Sequence, residues 1–458
     1  MLFMSGQQDK EVYNVNSHIR AYSIYVYVST SFASGHEQLS HGPLFSSLAQ
    51  LDRESRRPGS TRWSLQNVFF VALLMIYESS ESLKDRFYHA RQCLIEMFPG
   101  RRRPGKTYQG FIKAQKRLSS DMISHLLDHL RQCHRRVAGR YWKRFGWIPF
   151  ACDGSRVEVP RTTSNESELG CAGRYKTGPQ LFVTTLYHMG TGLPWDWHIG
   201  RGTDSERDHL RLMLANLPAG SLIVADAGFT GYDLLQAILS SGLSFLIRVG
   251  ANVTLLTDLG MEIECEGDVV WLWPGRKRDQ KPLKFRLIWL NKGKMCLLTN
   301  VLDPERLSDQ TAGVLYRMRW GVEVFYRSYK QTLQQRKLRS DAPHQARWEL
   351  FWGLTALLLL GLMSVEKMVE AGRDPLSLSV ASALRMIRQA MRSRQHWRRR
   401  GDLRVELALA MKDHYRRTSS KKARNWPHRK TESPPGLPKI RKATINETLR
   451  AKEVYVAA

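Results

Sequence analysis

The pattern of hydrophobic and polar positions changes character along the chain. From Ser64 to Arg144 apolar residues recur with helical spacing, interrupted by RRRPG at 101–105. Short apolar runs then alternate with amphipathic stretches as far as residue 250, which favours a mixed α/β sheet. The expected strands are 147–153, 181–188, 194–199, 221–226 and 244–249, with helices at 205–215 and 230–241.

The second half of the chain continues with a different pattern. Residues 251 to about 303 predict strands alone, separated by turn signals such as PGRKRDQKP and NKGK. Helices return at about 307 and continue, with breaks, to about 412. Residues 1–50 show no sustained periodicity, which indicates disorder or a start codon placed too far upstream. The stretch after Lys412 is basic and rich in proline, which favours a flexible arm.

Charge narrows the class of partner. The 458 residues include 70 Lys and Arg against 42 Asp and Glu, a formal charge of +28. Such an excess predicts a polyanionic partner, with nucleic acid first and an anionic membrane surface second. The apolar runs at 68–77 and 350–365 are shorter than the roughly 18 residues that span a bilayer. We therefore expect buried core helices and no membrane partner.

Two further features bear on location and DNA binding. The six cysteines are scattered without a CxxC pair, which excludes an obvious zinc or disulfide framework and favours a reducing cytosol. The sequence RQCHRRVAGRYWKR at 131–144 gives the N-terminal helices a basic, aromatic end. These helices lie on DNA, as in a helix-turn-helix, or they present a solvated basic face; no local signature decides between the two.

One helical stretch carries an unusual set of polar residues. On a helical wheel, Tyr316, Arg319, Glu323 and Lys330 fall within an arc of roughly 60°. The simple interpretation is a surface ion pair between Arg319 and Glu323. The functional interpretation makes the cations phosphate ligands beside a carboxylate that binds metal.

Two aspartates favour the functional interpretation. Asp153 follows the apolar run IPFAC, and Asp226 follows SLIVA. Carboxylates at the carboxyl ends of neighbouring strands lie at the edge where α/β sheets form sites. With one helix carboxylate they would supply oxygen ligands for two Mg²⁺ ions, which assist phosphodiester chemistry. The alternative for each aspartate is a turn or cap residue.

The complete set of motifs resembles a known family. Tyr316, Arg319, Glu323 and Lys330 match the YREK signature of the insertion-sequence-four group of DDE transposases, which move bacterial insertion sequences. The stretches CDGSRV, VADAGFTGYD and LYRMRWGVEVFYRSYK resemble the three acidic blocks of that group in order, and TDSERDHLRL resembles the helix between them. The resemblance covers about residues 145–365. One departure is Ala227, where many relatives have a basic residue after the second aspartate.

The resemblance implies a fold and a division of the chain. It implies a ribonuclease-H-like mixed α/β core with an inserted β subdomain, flanked by helical regions at both ends. The expected segments are an N-terminal extension 1–50, a helical DNA-binding domain 51–145, the first part of the core 146–250, the β subdomain 251–305, the catalytic helix and end of the core 306–365, C-terminal helices 366–412 and a flexible basic tail 413–458.

The resemblance also implies an activity. It predicts cut-and-paste transposition through a DNA hairpin, with Asp153, Asp226 and Glu323 as catalytic residues that bind two Mg²⁺ ions, or Mn²⁺ as a substitute. Asp233 ranks below Asp226, because the helix at 230–241 carries it away from the strand end. The expected partners are double-stranded DNA at the transposon ends and at the target, and a second subunit in a homodimer, near the bacterial nucleoid in the cytoplasm.

Other residues are expected at the DNA. By resemblance, Tyr316, Arg319 and Lys330 hold phosphate near the transposon 5′ end. Relatives stack a tryptophan of the β insertion on a flipped base, and the basic turn after Trp271 and Trp273 favours one of these two over Trp289. The alternative for each tryptophan is a core position. Lys176, Arg174 and Arg207 are further candidates for DNA contact.

Two other functions remain open from the sequence. One is a resolvase-like nuclease with the same core, against which the YREK signature and the β insertion both count. The other is a DNA-binding protein derived from a transposase that no longer cuts DNA. All three acids are present, which disfavours the inactive protein.

Overall fold

The computed structural model describes residues 62–97, 102–172, 178–260, 268–392, 403–413 and 435–456. The expected N-terminal extension 1–50 lies outside these residues. Among the described residues, four α-helices precede the first strand, and the predicted helical pattern with a break near residue 101 is confirmed. They are α1 Leu65–Tyr77, α2 Leu83–Met97, α3 Tyr108–Gln115 and α4 Ser120–Ala138.

The N-terminal helices pack directly on the rest of the protein. Ser64 begins α1, since its hydroxyl accepts a hydrogen bond from the Asn67 backbone N–H at 3.2 Å. The Tyr77 hydroxyl, at the other end of α1, donates to the Ala356 carbonyl at 2.8 Å. Buried residues of these helices belong to one hydrophobic cluster with residues 346–368. The N-terminal helices therefore share a hydrophobic core with the long helix at residues 343–370.

The strands of the described residues form one mixed sheet. They are β1 Ile148–Glu158, β2 Gln180–His188, β3 Leu193–Arg201, β4 Ser221–Ala225, β5 Ser244–Val249, β6 Thr254–Thr257, β7 Val269–Leu272, β8 Leu283–Leu290, β9 Met295–Thr299 and β10 Lys439–Lys442. Their order across the sheet is β10-β6-β7-β8-β9-β5-β4-β1-β2-β3. The remaining α-helices are α5 Thr163–Leu169, α6 Glu206–Met213, α7 Tyr232–Ser240, α8 Asp309–Met318, α9 Trp320–Arg327, α10 Pro343–Glu370, α11 Val380–Arg392, α12 Leu403–Leu407 and α13 Ile445–Val456.

The first five strands define the fold. Strand β2 is antiparallel to β1 and β3, whereas β4 and β5 are parallel to β1 and β4 respectively. The spatial order 3-2-1-4-5 with these directions is the ribonuclease-H-like topology, so the predicted fold class is confirmed. The strands predicted between 251 and 305 extend this same sheet, because β9 pairs antiparallel with β5.

The C-terminal segment differs from the sequence prediction. Strand β10 pairs in parallel with β6, and the Lys439 backbone N–H donates to the Val253 carbonyl at 2.8 Å. In α13, Glu447 accepts hydrogen bonds from Arg441 and Arg278. The hydrogen bond from Arg441 is the main reason that the pKa of Glu447 is lowered to about 2. The prediction of a flexible tail is therefore wrong for residues 435–456.

Helix α10 contains the longest apolar run. Its 28 residues make it long and apolar enough to cross a membrane, so the estimate that this run was too short is wrong. However, 94% of its apolar window is buried inside the protein. Its neighbours are α1, α4, α12 and β3. The expectation of a buried core helix is therefore confirmed.

Candidate active site

Two carboxylates lie side by side where β1 and β4 separate. The parallel ladder between these strands ends at the pair Cys152 and Ala225. Asp153 and Asp226 are the next residue on each strand, so they emerge together at one edge of the sheet. Strand β1 continues to Glu158 and pairs with β2 alone. The prediction that the first strand ends at Asp153 is wrong, but Asp153 is the point at which β4 leaves it.

Each of these carboxylates accepts a local backbone hydrogen bond. Gly154 N–H donates to Asp153 Oδ1 at 2.9 Å, and Gly228 N–H donates to Asp226 Oδ1 at 2.8 Å. Asp226 thereby caps one turn of 3₁₀ helix, as the turn-or-cap alternative predicted. Such a bond uses one oxygen of each carboxylate.

The surroundings of Asp153 disfavour its charged form. Burial raises its pKa to about 7, assisted by the charge of Asp226 and, more weakly, of Glu323. The Arg319 guanidinium and the Gly154 N–H oppose this rise. Adjacent carboxylates with this electrostatic conflict are typical of functional sites.

The third carboxylate comes from α9. Glu323 Oε1 lies 2.9 Å from Nη2 of Arg319, one helical turn earlier. The Arg319 guanidinium carbon lies 5.7 Å from the centroid of the Tyr316 ring. The predicted ion pair between Arg319 and Glu323 is therefore present, and it lies near the sheet edge of Asp153. One donor of Arg319, its buried Nε, has no hydrogen-bond partner among the described residues.

The helix that carries these residues is not regular. Helix α8 ends at Met318, α9 begins at Trp320, and one wide π turn follows at Ser328–Thr332. Such turns inside helices often occur at functional sites. Lys330 lies in this turn, where burial and then Arg336 lower its pKa, while Glu158 and Asp153 raise it. The wide turn keeps Lys330 near the strand of Asp153.

Tyr326 joins the helix of Glu323 to the strand of Asp153. Its buried hydroxyl lies 2.9 Å from the Asp153 carbonyl oxygen, 3.2 Å from the Val183 carbonyl oxygen and 3.0 Å from Thr185 Oγ1. One side chain of α9 is thus fixed to both β1 and β2. This contact sets the position of the helix relative to the sheet edge.

We expect Tyr326→Phe to destabilise the protein by about 1–3 kcal/mol, because it leaves buried acceptors without a donor. The matched control is Tyr329→Phe. Tyr329 is also buried, but its hydroxyl has no hydrogen-bond partner in the described part of the chain. Removing the Tyr329 hydroxyl should leave the free energy of unfolding unchanged or raise it. Urea unfolding followed by fluorescence measures both changes, and equal shifts for the two variants would contradict the role of Tyr326.

The structure adds a residue that the sequence interpretation passed over. Glu206 is the first residue of α6, and its carboxylate lies close to Gly154 and Gly228 at the ends of the two central strands. Burial raises the pKa of Glu206, and the Asp226 charge raises it further, against Arg156 and Arg207. From the sequence, TDSERDHLRL is predicted only as a helix between the acidic blocks, and Glu206 is assigned no role.

The other predicted residues have different positions. Arg207 lies near the site, since its Nε donates to the Gly228 carbonyl at 2.6 Å. Asp233 is turned to the surface, where it pairs with Lys277 at 2.7 Å. Lys176 and Arg174 lie outside the described residues.

The choice of tryptophan is corrected. Trp271 and Trp273 are 6% and 2% exposed, and Arg278 covers the Trp273 ring at 4.2 Å. Neither ring has a face open to a base, so the preference for these two is wrong and the core alternative holds. Trp289 is half-buried, and its Nε1 donates to Asp268 at 2.8 Å. Trp320, next to Arg319, is 54% exposed.

The fit of a divalent cation depends on the arrangement of the carboxylates and on their chemistry. Within the ranges that the structure describes, no group of three or more His, Cys, Asp and Glu side chains is arranged to hold a metal ion as it stands. The chemistry of the donors nevertheless fits Mg²⁺, which prefers carboxylate oxygens. Mutual repulsion between Asp153 and Asp226, which helps to raise the pKa of Asp153, is the kind of conflict that a bound cation relieves. Asp153, Asp226 and Glu323 are the residues that would hold it.

A ribonuclease-H-like core with carboxylates at this edge defines a class of enzymes that process nucleic acids. Residues 148–359 match the family model described as the transposase DDE domain. The chain is 26% identical over 331 residues, 68% of its length and 73% of the relative, to the transposase InsG for insertion sequence element IS4 from Escherichia coli strain K12. A solved structure of the piggyBac transposase synaptic complex with hairpin DNA covers 87% of both chains, at 12% identity and a TM-score of 0.41.

The family model and this relative together support a DDE transposase of the insertion-sequence-four type, in agreement with the resemblance in the motifs. These comparisons support a DNA transposase, an enzyme that acts on nucleic acid, and DDE transposases generally use divalent metal ions.

Proposed function

We propose that this transposase cuts DNA at the ends of its insertion sequence and joins the released 3′ ends to target DNA, with a hairpin intermediate on the transposon end. The observation that carries the proposal is the register of β1 and β4, which brings Asp153 and Asp226 together beside Glu323 within the matched domain. Water hydrolyses a phosphodiester in the first cut and again when the hairpin is opened. The 3′-hydroxyl attacks a phosphodiester when the hairpin forms and when the end is joined to target DNA.

Asp153, Asp226 and Glu323 would hold two Mg²⁺ ions, or Mn²⁺ in their place. When bound, such ions stabilise negative charge on the attacking and leaving oxygens of a phosphodiester. The protein needs no covalent nucleophile, because water and the DNA 3′-hydroxyl supply the attacking oxygens. Tyr316 is accordingly a DNA contact in this proposal.

The cations of the helix would hold the scissile backbone. Arg319 carries a buried Nε without a partner among the described residues, and a phosphate oxygen would satisfy it. Lys330 stays half-buried near Asp153, and Tyr316 lies against the Arg319 guanidinium. Together they would place a phosphate next to the three carboxylates. Arg207, fixed by its bond to Gly228, would add a positive charge on the opposite side.

The overall charge of +28 supports tight, salt-dependent binding of DNA. We further propose that two copies pair the two transposon ends as a homodimer, as the family resemblance implies. For base stacking, the exposed Trp320 and the half-buried Trp289 replace Trp271 and Trp273 as candidates.

The test uses the purified full-length protein, Mg²⁺ and a plasmid that carries the element with its own ends. We expect the wild type to release the element by double-strand cleavage, with hairpin ends visible on denaturing gels, and Glu323→Ala to release none. Binding of the ends without cleavage, under conditions in which a related transposase cuts its own ends, would instead identify an inactive DNA-binding protein.

A further inference from the structure

Glu206 lies between the ends of the two central strands. A Cβ atom built on Gly154 would come within 2.9 Å of Glu206 Oε2, and one built on Gly228 would come within 2.6 Å of Oε1. Gly154 follows Asp153 directly, and Gly228 is the residue whose N–H binds Asp226. At Gly228 the Glu206 carboxylate is the nearest group, whereas at Gly154 the Phe182 ring lies closer still, at 2.6 Å. A side chain at Gly228 would therefore displace the Glu206 carboxylate.

The charges of Arg156 and Arg207 act on the Glu206 carboxylate from a distance, but neither side chain is bonded to it in the described part of the chain. Across the described ranges, no hydrogen bond or ion pair within bonding distance involves Glu206. The two nearby arginines are directed elsewhere, because Arg156 donates to the Gly202 carbonyl at 3.0 Å and Arg207 donates to the Gly228 carbonyl. A half-buried carboxylate placed next to another carboxylate is costly unless a cation binds it.

A simpler role for Glu206 would be to stabilise the N-terminus of α6 through the helix dipole. That role needs only a carboxylate in the first turn, and Asp208 in the same turn meets the requirement while remaining exposed and paired with Arg211. It does not explain why Glu206 points between Gly154 and Gly228. Gly228 makes room for a carboxylate that faces the catalytic aspartates.

We propose that Glu206 is a fourth carboxylate of the active site and supplies an oxygen ligand to a divalent cation held by Asp153 and Asp226. The site then has four acids, one from each of β1 and β4, one from α9 and one from α6. The inference rests on the proposed function, because it assigns a further ligand to the same cation site.

The first test measures Mn²⁺ binding by electron paramagnetic resonance, using full-length protein with a duplex of the transposon end and subtracting the duplex alone. Glu206→Gln keeps the size of the side chain and removes its charge. We expect it to weaken Mn²⁺ binding about tenfold or more, as losing support at a metal site generally does. Asp153→Asn serves as a positive control, and Asp208→Asn is the matched control that should bind Mn²⁺ as the wild type does.

A second variant separates ligation from a structural role. Glu206→Cys should lose cleavage in Mg²⁺ and recover it at least partly in Mn²⁺ or Cd²⁺, because a thiolate prefers softer ions. A loss of activity that no ion restores would indicate a structural role and overturn the proposal.

The fourth carboxylate ligand and the transposase mechanism can be refuted separately. If Glu206→Gln binds Mn²⁺ and cuts DNA like the wild type while Asp153→Asn does neither, the fourth ligand is refuted and the transposase mechanism stands. If the wild-type protein neither binds Mn²⁺ nor cuts its own ends, the proposed function is refuted and the role of Glu206 is refuted with it.

Discussion

Asp226→Asn is expected to reduce DNA cleavage by about a thousandfold or more, whereas Asp233→Asn is expected to leave it within about twofold of the wild type. The first change removes a proposed carboxylate ligand from the strand edge, which would cost several kcal/mol of stabilisation in the transition state. The second affects a surface carboxylate, 55% exposed and paired with Lys277, whose contribution is small. Release of the element from a plasmid in Mg²⁺ measures both.

A binding assay serves as the control for this comparison. Because the proposed phosphate contacts come from Arg319, Lys330 and other cations, both variants should still shift a duplex of the transposon end on a native gel. Cleavage by Asp226→Asn at the wild-type rate, or its loss in Asp233→Asn alone, would reverse the ranking of the two aspartates and move the catalytic site to α7.

Glu349→Gln is expected to lower the free energy of unfolding by about 3–5 kcal/mol, the usual cost of breaking a buried charge network. Glu349 is buried, and it accepts hydrogen bonds from the Arg339 and Ser340 backbone N–H groups and from the Ser340 hydroxyl at 2.8 Å. Burial, followed by the Arg339 charge, lowers the pKa of Arg86 to about 10, and the Glu349 charge opposes this. Without that carboxylate, the charge of Arg86 on α2 is left poorly compensated.

The comparison variant for Glu349 is Glu168→Gln. Glu168 pairs with Arg347 at 3.0 Å, but its side chain is 48% exposed, so its removal should cost no more than about 1 kcal/mol. Urea denaturation, followed by circular dichroism and by intrinsic tryptophan fluorescence, gives the two midpoints. Similar midpoints for the two variants would mean that Arg86 does not depend on Glu349.

Those residues of the candidate site that are marked by a local sequence pattern could be predicted from the sequence. An apolar run followed by Asp-x-Gly or Asp-Gly marks both strand edges, and the helical spacing of Tyr316, Arg319 and Glu323 places them on one face. In the structure the side chains of Tyr316, Arg319 and Glu323 remain together on one face. Pattern alone does not reveal the π turn at Ser328–Thr332, because the hydrogen-bond change there depends on tertiary packing.

Features that depend on contacts between distant segments were not predictable. The position of Glu206 is set by the way α6 crosses the ends of β1 and β4, and its own helix resembles any charged surface helix. Burial of Trp271 and Trp273 follows from the extension of the central sheet through β7 and β8, whereas their neighbouring basic turn pointed to DNA. In each case the sequence supplies the residue type, and the three-dimensional packing determines whether the residue is accessible.

The C-terminal strand illustrates the same limit. Lys439, Ile440, Arg441 and Lys442 have the composition of a solvated arm, and all four are exposed even within the sheet. Their pairing with β6 uses backbone groups alone, so it leaves little trace in the side-chain pattern. An edge strand with several charged side chains is also the form that discourages pairing with another molecule.

The place of β10 in the sheet has a consequence for how the protein is made. Strand β6, which it covers, is translated long before β10, and in the described residues its other neighbour pairs with it at only one position, Leu256 with Trp271. While the ribosome is still producing α8 to α12, the backbone groups on one side of β6 have no strand to bind. Nascent chains therefore expose one edge of β6 to wrong strand pairing late in synthesis, after Asp153, Asp226 and Glu323 have been translated and before β10 joins the sheet.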